Sequence, residues 1–380
     1  MPGTNEGTYP EIPAVSVDPE CVENILIIGS IGIGNLLLFS STLRRIRRHF
    51  TNTRITVIVL KESFKVLYEH DPNVDRVLVL DTNLVKTVFE KVRFIINLRR
   101  LNNQICITSF PANRLEYNLL ALLSGARWRI AHLYDRKKIK TLSFLQNLRV
   151  PVDKKLHDVE QNLNLLRPFG IDPEGVEKKP YLTIDGDGRK KAEVYSDKHS
   201  LKNTFIVGMH PGSSAERGMI LKRWPARYFA ELCNWLWDTY DARILLFGGG
   251  EEMPLRDAIC DAADSQPICV TGVDFSTTAA LIEKCACFIT NDSGLMHVAT
   301  ALDVKTFALF GPSDPGRTAP YGSGHRVFSL GLDCSPCWSV NNLGIGRVNC
   351  IHPENICMTQ LAVETVQKQL TPHLNELAHG

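Results

Sequence analysis

Between residues 287 and 322 the chain reads CFITNDSGLMHVATALDVKTFALFGPSDPGRTAPYG. An apolar strand stops at Asn291-Asp292, and Ser293-Gly294 open a helix. The unpaired N–H groups of a helix start, together with the positive end of its dipole, suit a phosphate. Ser293 can equally serve as that helix's cap. His297 falls about one turn in, and a single helical histidine is more often structural than functional. The next strand, KTFALFG, ends in Gly311-Pro312 and sets a second turn beside the first. Another glycine loop closes NILIIGSIGIGN, residues 24–35. Its spacing, Gly29-x-x-Gly32-x-Gly34, departs from the G-x-G-x-x-G of dinucleotide binders. Glu62, past the following strand, stands where an NAD ribose would be gripped. The glycine spacing is wrong for that role and no hydride-transfer motif follows.

The chain has eleven cysteines. Cys106, Cys233, Cys260, Cys269, Cys285 and Cys287 sit singly in apolar segments, where a thiol acts as a small hydrophobe. The odd count and the scatter suit a reducing compartment. Cys334-x2-Cys337, Cys350 and Cys357 are clustered instead. Four such thiols, or three with His352, are a candidate structural zinc or iron site. Reduced thiols and disulfides are the alternatives.

The 380 residues carry a net charge of +2, unevenly spread. Residues 21–150 hold 21 Lys and Arg against 9 Asp and Glu, an excess of +12. The remainder is therefore at about −10. A basic first half suggests an acidic partner: anionic lipid headgroups, a phosphorylated sugar or nucleic acid. Arg44, Arg45, Arg47 and Arg48 follow the first glycine loop on one helix, and a solvated helix face is the alternative reading. No apolar run reaches the 18 or so residues of a spanning helix. The first twenty residues, with four prolines and four acidic groups, lack the basic start and apolar core of a signal peptide. They read as a mobile arm, with a cytoplasmic location the default.

These residues need a frame that gathers loops. Strand-like and helix-like segments alternate from NILIIG through RITVIVL, RVLVLD, QICITSF and RWRIAHL, as in a parallel α/β sheet. The series restarts at TFIVGMH and runs through ARILLFGGG, PICVTG, CFITND and KTFALFG. The expected division is an arm at 1–20, a Rossmann-like domain at 21–172 and a linker at 173–185. A second such domain then spans 186–357, with a Cys-rich segment at 334–357, and a last helix covers 358–380. In open α/β sheets ligands bind beyond the carboxyl ends of the strands, so the glycine loops are expected to face one cleft.

DSGLMHVATAL followed by LFGPSDPGRTAPYG resembles the donor-binding signature of glycosyltransferase family 9, the bacterial heptosyltransferases. HPGSSAERGMILKRWP is similar to the family's loop before its KxWP segment, LLFGGGEE to its GG-x-x-E turn, and NILIIGSIGIGNLLLFSSTLRRIRR to its N-terminal glycine loop and helix. The resemblance covers residues 24 to 357. It implies a GT-B fold of two doubly wound parallel-sheet domains, with the nucleotide sugar on the second and the acceptor on the first. It also implies transfer of heptose from ADP-L-glycero-D-manno-heptose, with inversion and without a required metal. The implied acceptor is an anionic glycan or glycolipid, usually the lipopolysaccharide inner core, reached by peripheral contact with the inner membrane; no nucleic-acid partner is expected. A different nucleotide sugar or another acceptor is the alternative.

The residues fit those roles. A diphosphate leaving group gains negative charge as its bond breaks, and preorganised cations or N–H donors lower that barrier. Lys222 is placed in sequence to meet it, with the N–H groups of Ser293 and Gly294. Under the resemblance Asp292 and His297 lie at the sugar-diphosphate end, and Ser213 and Ser214 in the phosphate-side loop. Glu252 accepts from the nucleoside hydroxyls, with Glu251 the near alternative. Gly34, Arg44, Arg45 and Arg48 belong to the acceptor side. The Cys-x-Pro-Cys with later cysteines recurs in relatives and need not imply metal.

One position departs from the family. Its glycine loop usually ends in Gly-Asp, the expected general base, and here Asn35 stands at the aspartate. An amide orients a hydroxyl but does not take its proton at neutral pH. Losing a general base typically costs about 10²–10⁴ in rate. Another base, a more nucleophilic acceptor, or a weakly catalytic binding homologue would each account for Asn35. Intact donor motifs favour an enzyme.

Overall fold

The computed structural model describes residues 14–30, 32–81, 86–134, 138–338 and 350–379. Most of the expected arm, Ile31 of the glycine loop and residues 339–349 of the Cys-rich segment lie outside these. The chain divides into two compact units. The first comprises residues 1–31 and 38–178; the second takes residues 32–37 and everything from Lys179 onward. The contact boundary therefore falls inside the expected linker.

In the first unit β1 (Asn24–Ile28), β2 (Arg54–Val59), β3 (Arg76–Val79), β4 (Ile105–Thr108), β5 (Trp128–Leu133) and β6 (Leu148–Pro151) form one sheet. Its order is β3-β2-β1-β4-β5-β6, and every pairing is parallel. Helices cover such a sheet on both faces, so its central strands are apolar throughout rather than alternating. Ile25, Leu26, Ile27 and Ile28 are all buried, and Ile25 sits in register between Ile55 and Ile105. Burying one such side chain stabilises the fold by about 1.5–3 kcal/mol. Val15 donates its N–H to the Pro168 carbonyl, and Val22 is buried, so the chain is tied to this unit ahead of β1.

The second unit repeats the plan with β7 (Ile206–His210), β8 (Arg243–Leu246), β9 (Ile268–Cys269), β10 (Cys287–Asn291), β11 (Lys305–Leu309) and β12 (Arg326–Phe328). The order is β12-β11-β10-β7-β8-β9, again parallel. Trp224, Phe229, Leu236, Phe307 and Leu309 anchor its core. The helix Val363–His379 adds Val366, Leu370 and Leu374 to that same core, so it is part of the second unit rather than an appendage. The short strands β6 and β12 were not expected. LRVP and RVF are too brief for the alternation that marks a strand, and only pairing to β5 and β11 defines them.

Candidate donor site in the second unit

The loops after β7 and β10 meet through a buried amide. Asn291, the last residue of β10, is fully buried. Its Nδ2 donates to the Pro211 carbonyl at 2.6 Å, and its Oδ1 accepts from the Trp224 N–H at 3.1 Å. Trp224 is itself buried, and its indole N–H donates to the Leu361 carbonyl at 2.8 Å. One amide thus ties the His-Pro-Gly loop to the Lys-Arg-Trp-Pro segment and fixes the backbone that carries Lys222.

Lys222 Nζ lies 2.6 Å from Asp292 Oδ2. Both side chains are largely withdrawn from water, at 14% and 7% exposure. The ammonium also stands 5.0 Å from the Trp338 ring centroid, a cation–π contact. Burial pushes the Asp292 carboxyl up. The charge and hydrogen bond of Lys222 outweigh that, with help from the Ser313 hydroxyl and His297, and hold the group below the ordinary aspartate range. Asp292 is therefore an anion at neutral pH, and its role is to hold a cation in place.

The next residue starts the helix Gly294–Ala301, with Ser293 as its cap: the hydroxyl accepts from the Met296 N–H at 3.4 Å. The structural alternative for Ser293 is thus realised. The hydroxyl also meets His210 Nδ1 at 2.8 Å, while His210 Nε2 lies 3.2 Å from Glu252 Oε2. His210 thus links the helix cap to Glu252 through its two ring nitrogens. Glu252 Oε2 accepts the Gly249 N–H as well, at 2.8 Å. Burial raises the Glu252 carboxyl, but His210, that N–H and the Arg223 charge together bring it below its usual value. Its other oxygen lies against Gly212, where a Cβ would come within 1.7 Å, so a larger residue there would have to displace the Glu252 carboxylate.

His297 is buried one turn into the same helix, next to Asp292. Gly34, on the short helix Ile33–Leu38 grouped with this unit, lies against the His297 ring; a Cβ at Gly34 would sit 2.4 Å from the imidazole Cδ2. Asn35 is the next residue of that helix and is half-buried. Ser213 is buried and donates to the Met219 carbonyl at 2.9 Å, with the Arg223 guanidinium gripping its backbone carbonyl. Ser214 and Glu251 are exposed. The structure thus gathers Lys222, Asp292, Ser293, Gly294 and His297, and adds Glu252 through His210. His210, Asn291, Arg223 and Trp338 were not singled out in the sequence. His210, Arg223 and Asn291 lie inside quoted stretches and Trp338 directly follows Cys337, but nothing in their types marked them as site residues.

In the first unit the basic helix Ser40–His49 carries Arg44, Arg45 and Arg48. Arg44 and Arg48 lie 3.2 and 3.8 Å from Glu177, pairs whose exposure limits them to about 0–1 kcal/mol. Arg45 is half-buried. Cys334, Cys337, Cys350 and Cys357 line one pocket with His352, and none of the four is in a disulfide. Cys337 donates to the Cys334 carbonyl and Cys350 to that of Glu354. Among the described residues no group of three or more His, Cys, Asp or Glu is arranged to hold a metal ion, and of the three alternatives for the cluster the structure shows thiols outside any disulfide.

Comparison with known proteins bears on the family and the fold. The family model for glycosyltransferase family 9 (heptosyltransferase) matches residues 98–343. The chain is 33% identical over 354 residues to lipooligosaccharide heptosyltransferase 2 of Campylobacter jejuni, covering 90% of this chain and 97% of that protein. Among solved structures, a glycosyl transferase of family 9 from Veillonella parvula superposes with a TM-score of 0.76 at 22% identity, over 95% of this chain and 99% of its own. The E. coli ADP-heptose lps heptosyltransferase II gives 0.69 at 23%, over 92% and 99%. At such identity these two support the fold, an α/β GT-B architecture, while the family match and the Campylobacter relative carry the assignment: the chain is a glycosyltransferase and belongs to family 9, the heptosyltransferases.

Proposed function

We propose that the chain transfers a heptose from ADP-heptose, with inversion, to a hydroxyl of a lipopolysaccharide or lipooligosaccharide core. The observation that carries this is the Lys222–Asp292 pair at the start of the helix Gly294–Ala301. A diphosphate seated there meets the Lys222 ammonium and the Gly294 N–H on the side where charge accumulates as the glycosidic bond breaks. Asp292 keeps Lys222 oriented, so no reorganisation is needed during the step. Glu252 Oε1, the oxygen not bound to His210, is the acceptor available to a nucleoside hydroxyl. Support for the donor comes from the E. coli neighbour, an ADP-heptose enzyme, and for the acceptor class from the Campylobacter relative. Gly34, Arg44, Arg45 and Arg48 are assigned to the acceptor. Among the described residues no helix is long and apolar enough to cross a membrane; the proposal takes a lipid-anchored acceptor to be met by peripheral contact.

Asn35 favours one rival, a homologue that binds donor and turns over poorly. Titrating the protein with ADP, UDP, GDP and CDP in a calorimeter, with ADP-heptose turnover measured alongside, separates the readings. Selective ADP binding with turnover is expected. Preference for another nucleotide overturns the heptose donor, and ADP binding without turnover supports the rival.

A further inference from the structure

The helix Val88–Arg99 in the first unit is apolar on two sides. Phe94, Ile95 and Leu98 pack into the core beneath it. Val88, Phe89, Val92 and Ile96 do not: they are 76, 74, 50 and 47% exposed. At about 100° per residue these four share one outward arc roughly 100° wide. Elsewhere among the described residues exposed large hydrophobics are scattered, as at Val194, Trp237 and Met253, which is ordinary for a surface, or are less exposed, as are Leu115, Leu122 and Leu123 on the helix Leu115–Leu123. Four on one helix form a patch that marks an interaction site.

The charges around the patch select its partner. Arg93 and Arg100 border the arc, Arg99 closes its C-terminal end, and all three are exposed. Glu90 is the sole acidic residue of the helix. Its carboxylate is engaged by the N–H groups of Lys86 and Thr87 in a capping box, which also fixes the helix start. An outward apolar stripe rimmed by cations is the pattern of a helix lying in a bilayer interface, with apolar side chains among the acyl chains and cations at anionic headgroups. Two copies brought face to face would oppose basic rims, so charge disfavours self-association.

We infer that this helix face is the surface by which the protein docks on an anionic phospholipid bilayer. The inference rests on the proposed lipid-anchored acceptor, which must be met at a membrane. It also moves the expected membrane contact from the arginines of Ser40–His49, two of which are paired with Glu177, to a different helix.

The test is flotation of the full chain with vesicles of phosphatidylethanolamine and phosphatidylglycerol, against vesicles of phosphatidylcholine. Wild type should float with the anionic vesicles, and about 0.5 M salt should weaken this. Phe89→Ser with Ile96→Ser should lower binding about tenfold or more. Arg93→Glu with Arg100→Glu should lower binding to anionic vesicles alone. ADP affinity should stay unchanged in both variants, which also reports that they fold. Wild type that floats with neither vesicle, or variants that float like wild type, would overturn the inference. So would a wild-type dimer that the Phe89→Ser, Ile96→Ser variant dissociates, since the face then belongs to a second copy. No sugar is present in these mixtures, so failure of the heptose reading would show separately, as absent turnover on a lipid-free acceptor.

Discussion

The two sheets have one topology and two chemistries. In each, the first strand of the unit lies beside the fourth, and the crevice opens beyond those two carboxyl ends. At the β1/β4 crevice the loops are held by neutral groups. The Ser30 N–H donates to Ser109 Oγ at 2.8 Å and the Phe110 N–H to Asn162 Oδ1 at 2.8 Å. His132, buried nearby between the carbonyls of Val150 and Gln161, is pushed down by burial to about 4 and is neutral at pH 7. At the β7/β10 crevice the same positions carry a buried ion pair and a His–Glu contact. Burying charge is costly, so a fold keeps it where it has work beyond stability. Topology alone does not say which crevice would take the proposed diphosphate; the buried ions are what favour the second.

The largest effect should come from removing the charge asymmetry. Lys222→Ala should lower turnover by about 10²–10³, or 3–4 kcal/mol, the usual loss when one preorganised donor to a leaving oxyanion goes. Asp292→Ala leaves the ammonium buried without its anion and should cost about 3–5 kcal/mol of stability as well. Ser109→Ala, at the matching crevice of the first sheet, should leave turnover within about twofold. Steady-state kinetics on the three variants check this, and equal losses would erase the distinction between the crevices.

Next comes pH. His132 titrates lower in the folded than in the unfolded chain, so the unfolded state binds more protons between about pH 6.5 and 4. Stability should therefore fall as pH drops through that window, by up to about 3 kcal/mol from this group. Asp292, held down by Lys222, keeps its contribution until pH falls below the ordinary aspartate value of about 3.9. Urea titrations at pH 7 and 5 should show the loss, and His132→Asn should flatten it. His210→Gln in the second crevice should have a smaller effect. It removes one hydrogen-bonded link to Ser293 and Glu252, expected to cost about 0.5–1.5 kcal/mol and raise KM for donor more than it lowers kcat.

The sequence shows the strands of both sheets except β6 and β12 through their apolar runs, since strands buried on both faces need no long-range information to be apolar. It also shows the donor loops, because glycine and the Asp-Ser-Gly helix start are local requirements. The supporting residues were hidden for the opposite reason. Asn291, His210 and Trp338 matter through partners between 42 and 116 positions away, and nothing local marks an amide that bridges two loops. The cysteine cluster is legible only as a grouping: its spacing allows a metal site, thiols or disulfides, and in the structure two of the thiols turn to backbone carbonyls.

Asn35→Asp gives the smallest expected change and the sharpest use of the comparison. Asn35 follows the glycine loop of the first sheet, whose crevice is otherwise held by neutral groups. The variant adds the carboxylate that the family resemblance implies at this position. If a different base has taken over, the new anion should leave kcat equal to that of the native chain or raise it by up to about tenfold. A gain should bring a pH dependence with it, kcat falling as pH drops through the new carboxyl's titration near 4. A loss of a hundredfold or more would mean that the amide orients the acceptor hydroxyl through its N–H, a contact that a carboxylate cannot make.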